Sequence, residues 1–172
     1  MFKQVISAVA LAALAVFSGQ AMAADVTSPA ATATFQVKMT IVKSCSVTAG
    51  STSDIDLGSV LSTAVNVAGS SAISVTCSNQ TPYYIGLKPS NGNTDGQGTM
   101  AGPDSRGVPY QLYSDSASTK KWGNTASATD VGNGVSGIGN GSAKSHTVYA
   151  VAPSANFTPG SYADTVYVTI NY

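Results

Sequence analysis

The fold of this chain is decided by two stretches in which apolar and polar residues alternate. One reads Thr34-Phe-Gln-Val-Lys-Met-Thr-Ile41 and the other Thr165-Val-Tyr-Val-Thr-Ile-Asn-Tyr172. Every second side chain is apolar, which is the period of a strand that buries one face. The first stretch is therefore predicted to be a half-buried strand whose apolar face carries Phe35, Val37, Met39 and Ile41.

Further strands are predicted between these two stretches, separated by turn-rich loops. The alternating or β-branched runs are Ala72–Ser78, Tyr83–Leu87, Val108–Tyr113, Thr147–Ala152 and, at the end, Tyr162–Tyr172. Two long segments rich in Gly and Asn, 89–107 and 123–144, are predicted to be loops. Ile55-Asp-Leu-Gly58 is predicted to be a short strand closed by a glycine turn. No helical period is found after residue 23, so the prediction is an all-β sandwich.

The composition excludes several classes of function. Charged residues make up 9% of the 172 residues, Glu is absent, and eight Asp are balanced by eight Lys or Arg. Without a basic field the chain is not expected to bind nucleic acid or anionic lipid. One His and two Cys exclude a His-rich metal site and a zinc finger. The apolar share of 43% argues against disorder of the highly charged kind.

The first 23 residues have the pattern of a secretory signal peptide. Lys3 supplies a positive start, residues 5–17 form an apolar core too short to span a bilayer, and Ala21-Met-Ala23 supplies the small residues read by a signal peptidase. Cleavage is predicted after Ala23, with Ala24 as the second choice. No later segment is long enough for a membrane span, so the protein is predicted to be exported.

Export changes the interpretation of the two cysteines. In an oxidising compartment Cys45 and Cys77, which are 32 positions apart, are most simply one disulfide. A catalytic or metal-binding thiol has little support, because neither Cys lies in a C-x-x-C motif and His146 is the one histidine that could assist.

The two alternating stretches leave apolar strand edges without an evident partner. The last strand runs to the final residue, and its apolar face carries Val166, Val168, Ile170 and Tyr172. The first alternating stretch follows a small-residue leader, 24–34, that is predicted to be flexible. A long apolar edge is a liability in a monomer but suits the docking of a strand from another chain. These four residues are therefore predicted to form the edge of an acceptor groove.

Motifs that could indicate enzymatic chemistry lack their structural context. Gly132-Asn-Gly-Val-Ser-Gly137 matches G-x-G-x-x-G, but Gly139 and Gly141 would break the helix that a dinucleotide site requires. His146 has no G-x-S-x-G nucleophile motif to accompany it. Asp54 and Asp56 are expected to point to water from a short strand. No catalytic, cofactor-binding or metal-binding residue is predicted, and the protein is not expected to be an enzyme.

The chain resembles the spore coat protein U-like domain family, the subunits of archaic chaperone–usher pili. Seven segments in the same order, spanning nearly all of 24–172, carry this resemblance: Phe35–Val47, Ile55–Gly58, Ile73–Ser78, Pro82–Leu87, Tyr110–Asp115, Lys121–Gly123 and Gly160–Tyr172. Each segment is weak by itself. Their order, together with both cysteines and a strand at the end of the chain, is fairly specific.

The resemblance implies an incomplete immunoglobulin-like sandwich that lacks its last strand. A periplasmic chaperone would fill the gap first, and the N-terminal strand of the next subunit would then replace it, while an outer-membrane usher drives export. The donor strand is expected within about 33–41, with Phe35, Val37, Met39 and Ile41 as the inserted residues. The alternative is that this run is the subunit's own first strand and that 26–33 is the donor.

The sequence thus predicts a signal peptide (1–23), a leader with the donor strand (24–41) and a pilin domain (42–172). The expected function is that of a structural subunit of a surface pilus, assembled from copies of itself or sister pilins and serving adhesion and biofilm formation. One alternative is a minor, tip or spore-coat-type surface protein of the same fold. Another is a secreted carbohydrate-binding sandwich that stacks Trp122 and loop tyrosines on sugars. Trp122 beside Gly123 fits an ordinary core or rim residue equally well.

Overall fold

The computed structural model describes residues 30–172. The predicted signal peptide and the first part of the leader lie outside the described residues. The described part of the chain falls into two units, 30–39 and 40–172, and every strand lies in the second unit. No helix within residues 30–172 is long and apolar enough to cross a membrane.

Eight strands form two antiparallel sheets in the second unit. They are β1 (Cys45–Thr48), β2 (Val65–Cys77), β3 (Pro82–Pro89), β4 (Gln97–Met100), β5 (Val108–Tyr113), β6 (Val135–Ile138), β7 (Ala143–Ser154) and β8 (Val166–Asn171). One sheet has the order β1-β2-β7-β5-β4 and the other β6-β3-β8. The helical structure among the described residues is a single 3₁₀ turn, Ser51–Ser53. The predicted all-β sandwich is confirmed.

The core lies between the sheets and is built from alternate residues of the long strands. Ile73 and Val75 of β2 and Tyr83, Ile85 and Leu87 of β3 are all at most 5% exposed. Their spacing of two places them on the inner face of each sheet, as the alternation predicts. Val148, Ala150 and Ala152 of β7 and Tyr110 and Leu112 of β5 complete the core from the five-stranded sheet.

Trp122 closes the core from a loop. Its side chain is 1% exposed, and its indole N–H donates a hydrogen bond of 2.9 Å to the carbonyl of Ile85. The backbone N–H of Leu87 donates to the carbonyl of Gly123, so the 122–123 segment runs alongside β3. Trp122 is therefore a core residue, as one of the two alternatives expected, and the alternative that stacks it on a sugar is wrong.

Two short strands lie in segments that were predicted to be loops. β4 lies within 89–107 and β6 within 123–144, and each contains a glycine in a run of only four residues. At Gly98 of β4 and Gly137 of β6, an added Cβ would collide with the rings of Tyr110 and Tyr83 respectively. Glycine is present because these edge strands cross the face of a tyrosine, which a composition-based prediction of loops cannot detect.

Two of the predicted strands are not formed within the single chain, so these two predictions are wrong for it. Residues 54–58 are irregular, although Ile55 and Leu57 are half-buried and Asp54 and Asp56 are exposed, as alternation predicts. Residues 34–41 form no strand and their side chains are exposed. A strand requires a partner for its backbone hydrogen bonds, and the alternation of side chains cannot indicate whether that partner belongs to the same chain.

Candidate functional site: an open groove along β8

The strand β8 pairs with β3 along one edge, and no strand within residues 30–172 pairs with its other edge. Leu87 lies opposite Val168, but the Leu87 N–H bonds to Gly123 and therefore points away from β8. In an antiparallel ladder, two opposite residues that do not bond to each other direct their N–H and C=O groups away from the partner strand, and this holds for both residues. The N–H and C=O groups of Val166, Val168 and Ile170 consequently face the open edge.

The same three residues of β8 turn their side chains inward. Val166, Val168 and Ile170 are half-buried and pack against the core, whereas Tyr167 between them is 57% exposed. Tyr172 follows the end of β8 and is 44% exposed. Three of the four residues predicted as a groove edge thus combine free peptide groups with inward apolar side chains, the combination that an added strand requires.

A second wall faces β8 across an open cleft. This wall is the segment 49–62, and we call the cleft between 49–62 and 159–168 the groove. Ile55 and Leu57 of this wall face inward, and the chain turns at Gly58, whose N–H bonds to the Asp56 carboxylate at 2.7 Å. Gly58 has a φ of 75°, in the region that favours glycine. The sequence predicted the alternation of 54–58 and the glycine turn, but it did not predict that this segment faces β8 across a cleft.

The floor of the groove is the hydrophobic core itself. One part of the groove, about 520 Å³, is lined by Ile73, Leu87, Leu112 and Val148. A second part, about 660 Å³, extends past Val67 and Ala152. The two parts adjoin, since Leu57, Met100 and Tyr162 line both. The core side chains beneath the groove are themselves nearly covered, so the open volume lies over the core, between the two walls.

A polar cluster lies on the β8 side of the groove, whose lining is mixed polar and apolar. Asp164, just before β8, accepts a hydrogen bond of 2.7 Å from the Tyr110 hydroxyl, one from the Ser90 hydroxyl and one from the Thr165 backbone N–H. Burial, together with the hydrogen bond to Asp164, raises the pKa of Tyr110 well above its usual value. The phenol therefore remains a neutral donor and holds the start of β8 against β5.

The disulfide predicted from the sequence is present. Cys45 and Cys77 are bonded and lie opposite each other in the β1–β2 pair, with Cα atoms 4.1 Å apart. Cys77 is 2% exposed. The disulfide fixes the start of β1 to the end of β2. The segment that ends at residue 44 is therefore attached to the sandwich at a defined point.

The side chains predicted to insert as a donor strand are all solvent-exposed. The exposed fractions are 89% for Phe35, 88% for Val37, 82% for Met39 and 81% for Ile41. We call residues 33–41 the arm. These four large apolar side chains keep the alternation of a strand that buries one face, but no part of residues 30–172 covers that face.

The remaining candidate residues do not assemble into a reactive site. His146 Nε2 lies 2.9 Å from the Tyr83 hydroxyl, and the rings meet edge to face. Burial, with a smaller effect of Lys144, lowers the pKa of His146. Asp164 is instead bonded to Tyr110 and Ser90. Within residues 30–172 there is no group of three His, Cys, Asp or Glu side chains that could hold a metal ion.

The sequence comparison identifies the family. The model of the Spore Coat Protein U domain matches residues 31–169, which is most of the chain. This chain belongs to the Spore Coat Protein U domain family. The resemblance stated from the seven segments is thereby confirmed. None of the curated proteins compared matches the chain.

Among solved structures, the fold is similar to one from an archaic pilus system. One similar chain belongs to the crystal structure of the CsuC–CsuE chaperone–tip adhesion subunit pre-assembly complex from archaic chaperone–usher Csu pili of Acinetobacter baumannii. The TM-score is 0.52 and the sequence identity 23%, over 77% of this chain and 40% of that chain. This Spore Coat Protein U domain protein therefore spans less than half of that neighbour and shares its immunoglobulin-like fold.

Proposed function

We propose that this protein is a structural subunit of a chaperone–usher surface pilus and that it polymerises by donor-strand exchange. The observation that carries the proposal is the groove. It lies over the core beside a strand edge that no strand of residues 30–172 pairs with, an arrangement that suits an added extended segment with apolar side chains at alternate positions. Membership of the Spore Coat Protein U domain family supports the same function.

The arm of a second copy has the length and pattern to fill this groove. Residues 35–41 would span about 20 Å as a strand, which is similar to the six residues of β8. Burying Phe35, Val37, Met39 and Ile41 would contribute roughly 6–12 kcal/mol, at 1.5–3 kcal/mol each. This is an upper value before the arm is ordered. The polar residues between them, such as Gln36 and Thr40, would stay in water.

The partners follow from the need to protect an open core before assembly. We propose that a periplasmic chaperone occupies the groove first, as the chaperone–subunit complex of the structural neighbour suggests. An outer-membrane usher would then pass the subunit to the surface, where copies of itself or sister pilins form the fimbrium. Residues 1–23 would direct export and 24–41 would carry the donor, and the fibre would serve adhesion and biofilm formation.

The alternatives differ in how well the structure supports them. A minor, tip or spore-coat-type surface protein would use the same groove, so the choice rests on whether copies polymerise. A carbohydrate-binding sandwich has lost its principal residue, because Trp122 is buried in the core.

A peptide-complementation experiment tests the proposal. Residues 42–172 produced without the arm should aggregate or bind a hydrophobic dye. A peptide of residues 33–41 should suppress both and raise the melting temperature with increasing peptide concentration. The same peptide with Met39→Asp is the matched control, and a peptide of residues 26–33 tests the alternative donor. A truncated domain that is stable, monomeric and indifferent to every peptide would refute the proposal.

A further inference from the structure

Within residues 30–172 the two sheets end in four edge strands, β1, β4, β6 and β8. Two of these edges face the groove: β1 runs beside β8, and Ala49, directly after β1, lines the groove together with Val166 and Val168. The other two edges, β4 and β6, belong to opposite sheets. An open edge is a template for any extended chain, so the arm requires a reason not to pair with β4 or β6.

The edge of β4 is closed by hydrogen bonds from its own surroundings. The carbonyl of Gln97 accepts a bond of 3.1 Å from the Asn91 side-chain amide, and the Gln97 N–H donates one of 3.2 Å to the Asn93 side-chain oxygen. Just after β4, Ala101 exchanges backbone bonds with Ala163. The outward peptide groups at both ends of this four-residue strand are thus occupied.

The edge of β6 is closed in a different way, by a lysine from the other sheet. The N–H of Gly139, directly after β6, donates to the Thr81 carbonyl. Since successive residues of a strand direct their peptide groups to opposite edges, Ile138 and Ser136 point away from β3. The outward carbonyl of Ile138 accepts a bond of 2.8 Å from the ammonium of Lys144.

Lys144 is placed to obstruct a strand that would otherwise be attracted to β6. It is the second residue of β7, is half-buried, and lies opposite Val75 of β2, so its side chain reaches from the five-stranded sheet to β6. Ile138 is 57% exposed and adds an apolar side chain to this edge. Lysine at an edge is one of the means by which native sheets avoid pairing, because an added strand must displace the ammonium.

The charge of the arm favours the groove over β6. Lys38 is the one charged residue in 33–41. At β6 this lysine would approach the ammonium of Lys144, and like charges repel. The groove lining instead contains Asp54, Asp56 and Asp164 and, within residues 30–172, no Lys or Arg. Hydrogen bonding and charge therefore act in the same direction.

We propose that Lys144 is a specificity-determining residue of assembly. By occupying the Ile138 carbonyl with a positive charge, it prevents β6 from accepting the arm of another copy, so that the arm adds at the groove. This inference rests on the proposed function and assigns a role to a residue outside the groove.

A photoreactive arm peptide tests the role of Lys144 on assembled fibres. Fibres are produced from the full chain, co-expressed with the chaperone and usher of its own pathway, so that under the proposed function their grooves are already filled. The probe is a peptide of residues 33–41 with a benzophenone amino acid in place of Gln36. After illumination and digestion, mass spectrometry locates the labelled segment. Unmodified fibres should be labelled only at background level.

Fibres of Lys144→Met should be labelled at residues 135–138, because methionine keeps the apolar stem but removes the ammonium. We expect labelling there to rise roughly tenfold, as for the loss of a hydrogen bond to a charged group. Lys144→Arg retains the charge and the donor and should restore the background level. Lys121→Met is the matched control, since it removes the same charge from an exposed position beside Tyr113 of β5.

The outcomes separate the role of Lys144 from that of the groove. Labelling of Lys144→Met at background level, outside 135–138, or no stronger than that of Lys121→Met would overturn the role of Lys144 and leave the groove intact. A variant that forms no fibres is measured as its chaperone-bound subunit, whose groove is also filled. Strong labelling of 159–168 in unmodified fibres would show empty grooves and would overturn the proposed function together with this inference.

Discussion

Tyr110 and Asp164 connect the two sheets beside the groove: the Tyr110 hydroxyl donates a hydrogen bond of 2.7 Å to the Asp164 carboxylate. Tyr110 lies on β5 of the larger sheet, and Asp164 lies two residues before β8 of the smaller one. The start of the unpaired strand edge is thus held by a charge-assisted bond from the core. Its position, and with it the width of the groove, depends on this pair.

We predict that Tyr110→Phe destabilises the domain by about 1.5–3 kcal/mol, the usual contribution of a hydrogen bond to a charged group. The measurement is urea unfolding of residues 42–172 saturated with the arm peptide. Tyr113→Phe is the control, because the Tyr113 hydroxyl makes no hydrogen bond to any side chain or backbone group of residues 30–172. Equal stability of the two variants would show that the Asp164 contact contributes nothing.

We predict that replacing both cysteines by serine lowers the free energy of unfolding by about 3–4 kcal/mol, as expected from the chain entropy of the loop that the disulfide closes. Thiol titration of the unmodified chain, unfolded without reductant, should find no free thiol. Two reactive thiols per chain would contradict the bridge.

We predict that a charge on the apolar face of the arm prevents fibre formation. In Val37→Asp or Met39→Asp, the carboxylate would have to be buried unpaired in the groove of the next copy, at a cost of several kcal/mol. Thr40→Asp lies on the opposite face and should be far milder. Electron microscopy of surface fibres is the measurement, and co-purification with the chaperone checks that each subunit is soluble.

Equal effects of the charge on both faces of the arm would contradict the two-residue register. Normal fibres in all three variants would indicate that the donor strand is residues 26–33 instead.

We predict that Gly69→Val weakens arm binding by displacing the second wall of the groove. A Cβ at Gly69 would lie 2.9 Å from both the Asp56 carbonyl oxygen and Leu57 Cδ2, so the 55–57 segment must shift. Overpacking of this kind costs typically 1–3 kcal/mol. Titration of the arm peptide against residues 42–172 measures the effect. Ala68→Val, at the exposed neighbouring position, should leave the affinity unchanged.

We predict that the domain loses stability as the pH falls below about 6.5, the usual pKa of histidine. Burial lowers the pKa of His146 in the folded state, so the unfolded chain binds the proton more readily. The contribution is fully present above about pH 6.5 and is lost as the pH falls toward the lowered folded pKa. The measurement is the change in the free energy of unfolding between pH 7.5 and pH 5.5, compared between the unmodified chain and His146→Gln. The difference between the two changes is the contribution of His146. An identical pH dependence of the variant would exclude His146 as the cause.

Local periodicity was sufficient to predict most of the sandwich. The strands β2, β3, β7 and β8 each bury one face. The alternation of apolar and polar residues that produces a buried and an exposed face is visible in the sequence. The inward side chains of Val166, Val168 and Ile170 were predicted in the same way, whereas the bond between Cys45 and Cys77 was predicted from export and the even number of cysteines. These properties depend on neighbours along the chain or on the compartment, and both can be inferred from the sequence.

Only the tertiary structure decided which of the two alternating stretches pairs within the chain. The alternation in 34–41 and in β8 is equivalent in sequence, yet β8 pairs with β3 whereas 34–41 has no strand partner within residues 30–172. The irregular wall at Ile55 and Leu57, the burial of Trp122 and the link between Tyr110 and Asp164 arise from contacts between distant segments. A side-chain pattern specifies that a face is to be buried, but the partner that covers it depends on how the whole chain packs, and that relationship is not encoded at any single position.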